Sequence, residues 1–461
     1  MDYDLLLSNG LVYVDGGFKA LDVGIKGEKI AALMEHGSNS KAEKVIDVTG
    51  KYVLPGLIDF HCHVFEPGPN EKREFYDTGT MAAANGGLTM ICTMPNGCEG
   101  GLASPEAYSK ALERAEKKAV IDYNIIASPL GFQDGYTQQL ADMGSAFFKL
   151  LIKDQTAPLN QSFACGDFYT IAQCFKAIAK TGRYCSVHPR DISYMNGLKK
   201  HLMETEPELD LPGVFSHLFS EEEMAASAWQ IAFYARKYNM KWHALHCWMD
   251  GYIDLVRMLK AEGRMDIIAS VEMLPINGRS DYLYDPETGE VKLHLGHCAL
   301  PNYDHVWEAV ADGTIDLICS DHSPNSMDFF KPETPWNTAK GVCGLDWFGH
   351  LLLDEVYKGN LSLERLVQTT SENGAKAFGF YDRKGSNLPG TDADFSIADL
   401  NETWVVGKEK FYTNGRLSPY YGQTIHGKFT HTIVRGQVVM DHGEILVKPG
   451  YGKMIVPAEN C

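Results

Sequence analysis

At 461 residues with 44% apolar side chains, the chain is too long for one compact core, so a large domain with a smaller companion is expected. Its formal net charge of -18 excludes nucleic acid and anionic membranes as partners, because both bind cationic surfaces, and leaves a small molecule as the expected partner. The 11 cysteines form no CxxC pair and the N-terminus carries no signal-peptide pattern, so we expect reduced thiols in a cytoplasmic protein.

The first fifty residues alternate short apolar runs with turns such as Asp15-Gly16-Gly17. This alternation predicts antiparallel strands joined by hairpins. The predicted strands cover residues 3–7, 11–14, 21–25 and 30–33. We therefore expect residues 1–52 to form one part of a β-rich domain.

From residue 53 to residue 380 the pattern changes, and apolar β runs alternate with amphipathic helical segments. The predicted strands cover residues 90–93, 122–127, 147–152, 184–187, 241–245, 266–271 and 316–319. The predicted helices include residues 105–118, 167–181, 220–238 and 253–262. Such alternation forms βαβ units, and seven or eight repeats over this length predict a (β/α)8 TIM barrel of the α/β class.

The β-rich texture of the N-terminus returns after residue 380. The predicted strands there cover residues 394–399, 430–434, 438–441 and 445–447. Two short β-rich ends around a long middle predict one small β-sandwich built from both termini, with residues 381–461 as its C-terminal part and tail.

A His-x-His motif, His61 and His63, follows the apolar stretch 53–60, which we interpret as the first barrel strand. Residues two apart on a strand project to the same face, so both imidazoles can bind one metal ion. The motif alone is weak evidence and more often means two half-exposed histidines, because it occurs by chance on many strands.

Further polar residues end other predicted strands, which is where barrel enzymes place their catalytic groups. His188, His246 and Asp321 each follow an apolar run. One such residue by itself is more often a satisfied buried side chain than a ligand. Because four strand ends carry such residues, the sequence predicts a divalent metal site where these ends meet.

Lys149 lies inside an apolar strand, where an ammonium group loses its hydration unless it is paired or neutral. A neutral amine can add carbon dioxide and become a carbamate, an anionic donor able to bridge two cations. Alternatively, the side chain extends to the strand end and keeps its charge in water. The residues alone leave both interpretations open.

Four segments extend the pattern over nearly the whole chain. They read VLPGLIDFHCH at 53–63, SDHSP at 320–324, GTDAD at 390–394 and SPYYG at 418–422. Together they resemble the cyclic amidohydrolases, the group of allantoinases, hydantoinases, dihydropyrimidinases and dihydroorotases, with allantoinases most similar. The resemblance implies a hydrolase of C–N bonds in a cyclic ureide or imide ring that is similar to allantoin or hydantoin.

The resemblance also implies two divalent cations, with zinc expected and manganese, cobalt or iron compatible with the same donors. The implied ligands are His61, His63, Lys149, His188, His246 and Asp321. The first two histidines and Asp321 would bind one cation, the other two histidines would bind the second, and a carboxylated Lys149 would bridge them. His243 matches a family histidine outside the ligand set, and Lys153 is the less favoured bridge because its apolar flank is shorter.

The implied mechanism is attack of a metal-bridging hydroxide on the amide carbonyl of the ring. Two cations roughly 3.5–4 Å apart lower the pKa of water and polarise the carbonyl. Asp321 would take the proton of the hydroxide and pass it to the departing amide nitrogen.

The identity of the ring depends on departures from the family pattern. Phe65 stands where dihydroorotases place an arginine that binds the substrate carboxylate, which disfavours dihydroorotate, and where allantoinases place a polar residue. The segment 298–302 lacks a family arginine, and Asp154 stands where hydantoinases and dihydropyrimidinases place a tyrosine. Asn96 resembles a substrate-contacting position of dihydroorotases or is a plain turn residue. The candidate substrate contacts are Phe65, Asn96 and Asn302.

Three other functions are compatible with the same fold. A dihydropyrimidinase or dihydroorotase would open a different ring, a deaminase would use one metal without a lysine bridge, and a scaffold relative would lack the ligands. The six ligands disfavour the scaffold, because a scaffold has no physical use for them. Relatives also imply a homo-oligomer, a tetramer or a dimer.

Overall fold

A computed structural model of the chain describes residues 2–37, 40–153, 164–217, 220–273, 281–285, 287–294, 302–329, 335–337, 341–407 and 409–458. The predicted departures at Asp154 and at 298–301 lie outside these residues. Among the helices in these ranges, none is both long enough and apolar enough to cross a membrane.

Both ends of the chain contribute to one nine-stranded sheet. Its strands, numbered in chain order through the whole molecule, are β1 (Tyr3–Val14), β2 (Gly17–Lys26), β3 (Lys29–Glu35), β4 (Ala42–Asp47), β5 (Tyr52–Pro55), β17 (Phe395–Val405), β18 (Thr424–Val434), β19 (Gln437–Asp441) and β20 (Glu444–Ile445). Strand β5 joins the two ends, because it runs parallel to β1 and antiparallel to β17. Side chains from both ends, among them Val12, Ile25, Phe395 and Ile433, form one buried cluster. The expected β domain built from both termini is confirmed.

The middle of the chain forms a closed barrel of eight parallel strands. They are β6 (Leu57–Cys62), β7 (Leu88–Thr93), β8 (Asp122–Ile125), β9 (Phe147–Ile152), β11 (Tyr184–His188), β12 (Lys241–Ala244), β13 (Ile267–Glu272) and β16 (Leu317–Cys319). Two parallel bridges close the ring, one between Ala127 and Phe148 and one between Cys62 and His322. The predicted TIM barrel is confirmed. Outside the ring lie β10 (Ala164–Cys165), which pairs with β9, and the hairpin of β14 (Tyr282–Tyr284) and β15 (Val291–His294).

The apolar stretch 53–60, which we expected to form the first barrel strand, is divided between two strands. Residues 53–55 belong to β5 in the terminal sheet, and the barrel begins with β6, which pairs with β7. Gly56 separates them, and a Cβ atom there would lie 2.1 Å from Thr89 Oγ1, so only glycine permits this close approach. The expectation was wrong because apolar residues continue without a break from one sheet into the next.

Helices alternate with the barrel strands. Their bounds are Tyr76–Asn85, Pro105–Lys118, Tyr136–Asp142, Phe168–Thr181, Ile192–Thr205, Leu211–Ser216, Glu221–Tyr238, Asp250–Glu262, Tyr303–Asp312, Phe348–Lys358, Leu363–Val367 and Asn373–Ala377. Shorter turns of 3-10 helix cover Glu71–Arg73, Glu99–Leu102, Pro129–Asp134, Met327–Phe329, Pro335–Asn337 and Leu345–Trp347, and a π-helical turn covers Gln368–Glu372. Three helices start within one residue of the predicted position, because the side chains of Ser104, Asp167 and Ser220 accept a hydrogen bond from the N–H three residues later.

A buried ionic cluster connects the barrel to the terminal sheet. The Nζ atom of Lys384 lies 2.6 Å from carboxylate oxygens of Asp122 and Asp394 and 3.0 Å from Asp392. Arg435 pairs with the other oxygen of Asp122, the first residue of β8. The four acidic and basic side chains around Lys384 are almost fully buried, so these charges are stabilised by one another and not by water.

Candidate metal centre

The two histidines of the His-x-His motif meet Asp321 at the carboxyl end of β6. His61 Nε2 lies 3.3 Å and His63 Nε2 lies 3.0 Å from Asp321 Oδ1. The backbone holds them there, because Asp321 N–H donates to His61 O and His63 N–H donates to His322 O. The structure thus brings together side chains that lie 258 positions apart in the chain.

His188 and His246 complete a cluster of four imidazoles. His188 ends β11, and its Nδ1 lies 2.6 Å from His246 Nε2. The ring centroids of His61 and His246 are 5.1 Å apart. Both His246 and Asp321 have positive φ angles, 75° and 46°, a strained conformation for residues other than glycine. This backbone geometry turns both side chains toward the cluster.

Lys149 projects from the middle of β9 into the same cluster. Its Nζ lies 3.2 Å from His61 Nε2, and the side chain is 2% exposed. Burial lowers the pKa of Lys149 to about 8, although the charges of Asp321 and Glu272 oppose this shift. This pKa leaves a minor part of the amine neutral near neutral pH, and the neutral amine is the form that adds carbon dioxide.

Glu272 is a member of the site that the sequence reasoning missed. It is the last residue of β13 and is buried. Its Oε2 lies 3.0 Å from His246 Nδ1 and its Oε1 lies 3.4 Å from His61 Nδ1. A carboxylate on the outer nitrogen of an imidazole orients the ring and leaves the other nitrogen for a metal. Its position at the end of a barrel strand was the signal that could have identified it.

The electrostatics of the cluster fit a divalent cation. Burial lowers the pKa of His61 and of His188 well below the usual value, so both imidazoles are neutral and can donate a lone pair. For Asp321, burial opposes ionisation, but the hydrogen bond and charge of His63 hold the pKa below its ordinary value. One ligand atom each of His61, His246 and Asp321 lie within 4.8 Å of one another. Neutral imidazoles beside an ionised carboxylate are a donor set that zinc and similar cations bind.

Two neighbouring histidines have other contacts. His243 Nδ1 lies 2.7 Å from Ser186 Oγ, and its exclusion from the ligand set stays a prediction. His322 is buried with Nε2 at 3.1 Å from Glu74, and its Nδ1 accepts a hydrogen bond from the N–H of Gly344. Both nitrogens of His322 therefore contact groups outside the metal cluster.

The three predicted substrate contacts lie in different settings. Phe65 is buried and stacks on His63 with ring centroids 6.0 Å apart. Asn96 follows β7, and its buried Oδ1 accepts no hydrogen bond from any described residue. Asn302 caps the helix Tyr303–Asp312, where its Oδ1 accepts from the N–H of His305. Their contact with a substrate remains a prediction.

Comparison with known proteins matches two family profiles to segments that contain four of the six predicted metal ligands. The profile of the amidohydrolase family matches residues 237–439, and that of the dihydro-orotase-like family matches residues 50–127. The second match contains His61 and His63, and the first contains His246 and Asp321.

Named proteins and solved structures also match this chain over nearly its full length. The chain is 28% identical to an allantoinase of Bacillus licheniformis, over 99% of this chain and 100% of that protein. It is 29% identical to a dihydroorotase of Ligilactobacillus salivarius, over 95% and 99% of the two chains. Among solved structures, an L-hydantoinase (dihydropyrimidinase) from Arthrobacter aurescens is similar with a TM-score of 0.89 and 25% identity, over 98% of this chain and 100% of that chain. The similarity therefore extends across both the barrel and the terminal sheet.

Proposed function

We propose, on the premise that the chain belongs to the cyclic amidohydrolases, that it opens the amide bond of a cyclic ureide or imide ring, such as allantoin or hydantoin, with two divalent cations. The observation that supports the proposal is a chain of contacts that joins six side chains at the carboxyl ends of the barrel strands. The donors are His61, His63, Lys149, His188, His246 and Asp321.

We propose zinc as the native metal. His61, His63 and Asp321 would hold one cation, and the other two histidines would hold the second. A carboxylated Lys149 between them would supply an anionic oxygen to each, and the buried amine with its lowered pKa supports this assignment. When bound, such cations make water nucleophilic near neutral pH and polarise an amide carbonyl.

The residues of the chain perform the remaining chemistry. Asp321 is the proposed proton carrier, because its carboxylate is ionised and its side chain is 35% exposed, so it can reach both water and substrate. It would accept a proton from the attacking water and deliver it to the departing ring nitrogen. Glu272 would keep two imidazoles oriented during this transfer.

A hydrolysis panel tests the proposal. Metal-replete protein is assayed with allantoin, hydantoin, dihydrouracil and dihydroorotate, and metal content is quantified on the same sample. We expect two metal equivalents per chain and ring opening of at least one compound. His63→Asn should lose both metal and activity, whereas His426→Asn, a control on the terminal sheet paired with Asp354, should retain both. Full activity after exhaustive chelation, or a metal-replete protein that opens no ring, would contradict the proposal.

Two further assignments are proposals of the same kind. The sequence predicts a division into residues 1–52, 53–380 and 381–461, and we propose this division with its first boundary at Gly56, because β5 pairs in the terminal sheet. We also propose a homo-oligomer, a tetramer or a dimer. The exposed aromatic side chains of Tyr169, Trp229 and Phe233, 77%, 51% and 60% accessible, support an interface there. Light scattering during gel filtration measures the oligomeric state.

A further inference from the structure

Two histidines and an aspartate meet on the terminal sheet, outside the barrel. His431 lies on β18 opposite Asp441, the last residue of β19, and His442 begins the turn between β19 and β20. Directly opposed residues of antiparallel strands project to the same face of a sheet. One ligand atom from each of the three side chains lies within 4.8 Å of the other two. We call these three residues the hairpin cluster.

The backbone of the turn holds His442 beside His431. His442 and Gly443 form a two-residue hairpin turn with φ angles of 47° and 87°. Positive φ at both positions is the geometry of a type I′ turn. The His442 N–H donates to Thr430 O at 2.7 Å, and the Tyr412 hydroxyl donates to Gly443 O at 2.8 Å. The turn is therefore tied to β18 on one side and to Tyr412 on the other, and the two imidazole centroids lie 5.1 Å apart.

The spacing of the donor atoms suits a transition-metal ion. Ligands bound to a tetrahedral zinc ion at about 2.1 Å lie roughly 3.3–3.4 Å from one another. His431 Nε2 lies 3.4 Å from Asp441 Oδ1, and His442 Nδ1 lies 2.6 Å from the same oxygen. Because the His442 side chain is 63% exposed, a small rotation widens the shorter contact without displacing packed atoms.

Hydrogen bonding leaves the lone pair of His431 facing Asp441. The Thr430 hydroxyl donates its one proton to Ile397 O at 3.3 Å, so its oxygen accepts from His431 Nδ1, which lies 3.0 Å away. His431 Nε2 then carries the lone pair. Burial lowers the pKa of His431 and keeps the ring neutral, although the charge of Asp441 opposes this shift. A lone pair and a carboxylate oxygen repel each other, and a cation between them turns this repulsion into two bonds.

The charges around the hairpin cluster leave room for a cation. For Asp441, burial opposes ionisation, but the hydrogen bond and charge of neighbouring histidines hold its pKa below the ordinary value. Two lysines lie close enough to affect His431. The charge of Lys51 is compensated by Asp399, and Lys44 is exposed, so water and salt screen its charge. The anionic oxygen of Asp441 is thus available to a metal ion.

The hairpin cluster and the metal centre lie at opposite ends of the barrel. A Cβ atom at Gly443 would lie 3.7 Å from Oδ1 of Asn85, the last residue of the helix Tyr76–Asn85. That helix leads into the amino end of β7, whereas the proposed ligands of the metal centre cluster at the carboxyl end of the barrel. The two sets of side chains therefore share no member, and neither can contribute a ligand to the other.

We propose that His431, Asp441 and His442 form a second metal-binding site, which takes one divalent cation of the zinc, nickel and copper class on the surface of the terminal sheet. Two imidazoles disfavour magnesium and calcium, which prefer oxygen donors. Water completes the coordination, because Asp441 and His442 are exposed. Three ligands without an anionic bridge hold a cation less tightly than the proposed metal centre does, so desalting removes this one first. The inference does not depend on the proposed function.

Equilibrium dialysis against buffered free zinc measures the site. Bound metal is counted per chain from nanomolar to high micromolar free zinc. We expect the unmodified protein to bind one equivalent in the micromolar range, beyond those that the metal centre retains after desalting. His442→Asn and His431→Gln should each raise the half-saturating zinc concentration of this equivalent about 10-fold or more.

A matched control is His426→Asn. This histidine lies on the same strand and pairs with Asp354, but it belongs to no group of three metal donors among the described residues. The variant should bind the additional equivalent as the unmodified protein does. If the unmodified protein binds no additional equivalent, or if both His442→Asn and His431→Gln retain it with unchanged affinity, the site is refuted.

Chemical protection tests the same residues in the unmodified protein, so a variant that fails to fold does not decide the result. Diethyl pyrocarbonate modifies free imidazoles, and peptide mass spectrometry locates the products. Micromolar zinc should slow the modification of His442 but not that of His36, an exposed histidine after β3. Equal modification of His442 with and without zinc would overturn the proposal. Neither measurement involves ring opening, so its result is separate from that of the hydrolysis panel.

Discussion

Replacing Glu272 by glutamine should weaken metal binding without unfolding the protein. The carboxylate lies 3.0 Å from His246 Nδ1 and 3.4 Å from His61 Nδ1, so it contacts the outer nitrogens of two imidazoles at once. Glutamine has nearly the same shape but offers one oxygen and one NH2 group. One of the two imidazole N–H groups would then face another donor, and its ring would lose its fixed orientation.

The expected loss of metal affinity can be estimated from the effect of removing a hydrogen-bond partner behind a metal-bound histidine. Loss of a partner behind a metal-bound histidine typically lowers metal affinity about 10–100-fold, which corresponds to about 1.4–2.7 kcal/mol at 25 °C. Because Glu272 serves two rings, we expect the effect to lie near the upper end. Competition with a chelator of known affinity measures zinc binding in the Glu272→Gln variant and the unmodified protein.

A matched control separates this effect from the general cost of changing a buried acid. Glu355 is also buried, but it contacts Lys358 and Asn360 on the helix Phe348–Lys358 and the turn after it. Glu355→Gln should leave zinc affinity unchanged. Unchanged zinc affinity in a folded Glu272→Gln variant would show that Glu272 does not orient the histidines, and the reasoning would be refuted.

Three other predictions follow from the burial and the ion pairs of Lys149 and Lys384. Lys149→Ala should lose activity, and a short carboxylic acid in the buffer should restore part of it by replacing the carbamate oxygens, as a rate assay with and without acetate measures; no restoration would contradict a carbamate. Because burial lowers the pKa of Lys149 to about 8, the neutral amine is depleted as the pH falls, so reactivation of metal-free protein by zinc at a fixed concentration of dissolved carbon dioxide should slow from pH 8 to pH 6; a rate independent of pH would contradict this. Lys384→Met should lower the free energy of unfolding by about 3–5 kcal/mol, since it leaves buried carboxylates uncompensated. Lys29→Met should cost about 1 kcal/mol or less in denaturant titrations, because Lys29 is half-exposed and its partner Asp392 keeps Lys384.

The local sequence determined those helices and strands whose caps, turn residues and apolar pattern all lie within or next to the element itself. The helix Pro105–Lys118 has the bounds that its sequence predicts, because Ser104 caps it, Pro105 fits its first turn and Ala119 follows in an extended conformation. Strand β4 was missed, because Ala42–Asp47 is largely exposed and has no apolar run. Its strand conformation comes from pairing with β1, which a pattern of apolar residues does not encode.

For the metal centre, too, part of the arrangement follows from the local sequence and part only from tertiary contacts. Parallel barrel strands end at one rim whatever their sequence, so the sequence alone assigns the polar residues at predicted strand ends to one cluster. It does not assign the role of Glu272, because that role depends on side chains that the barrel brings near from other strands. Within the same cluster His63 and Asp321 lie 258 positions apart. Periodicity within the chain therefore determined the elements and their rim, and only the closed barrel decided which side chains touch there, because those contacts join residues distant in sequence.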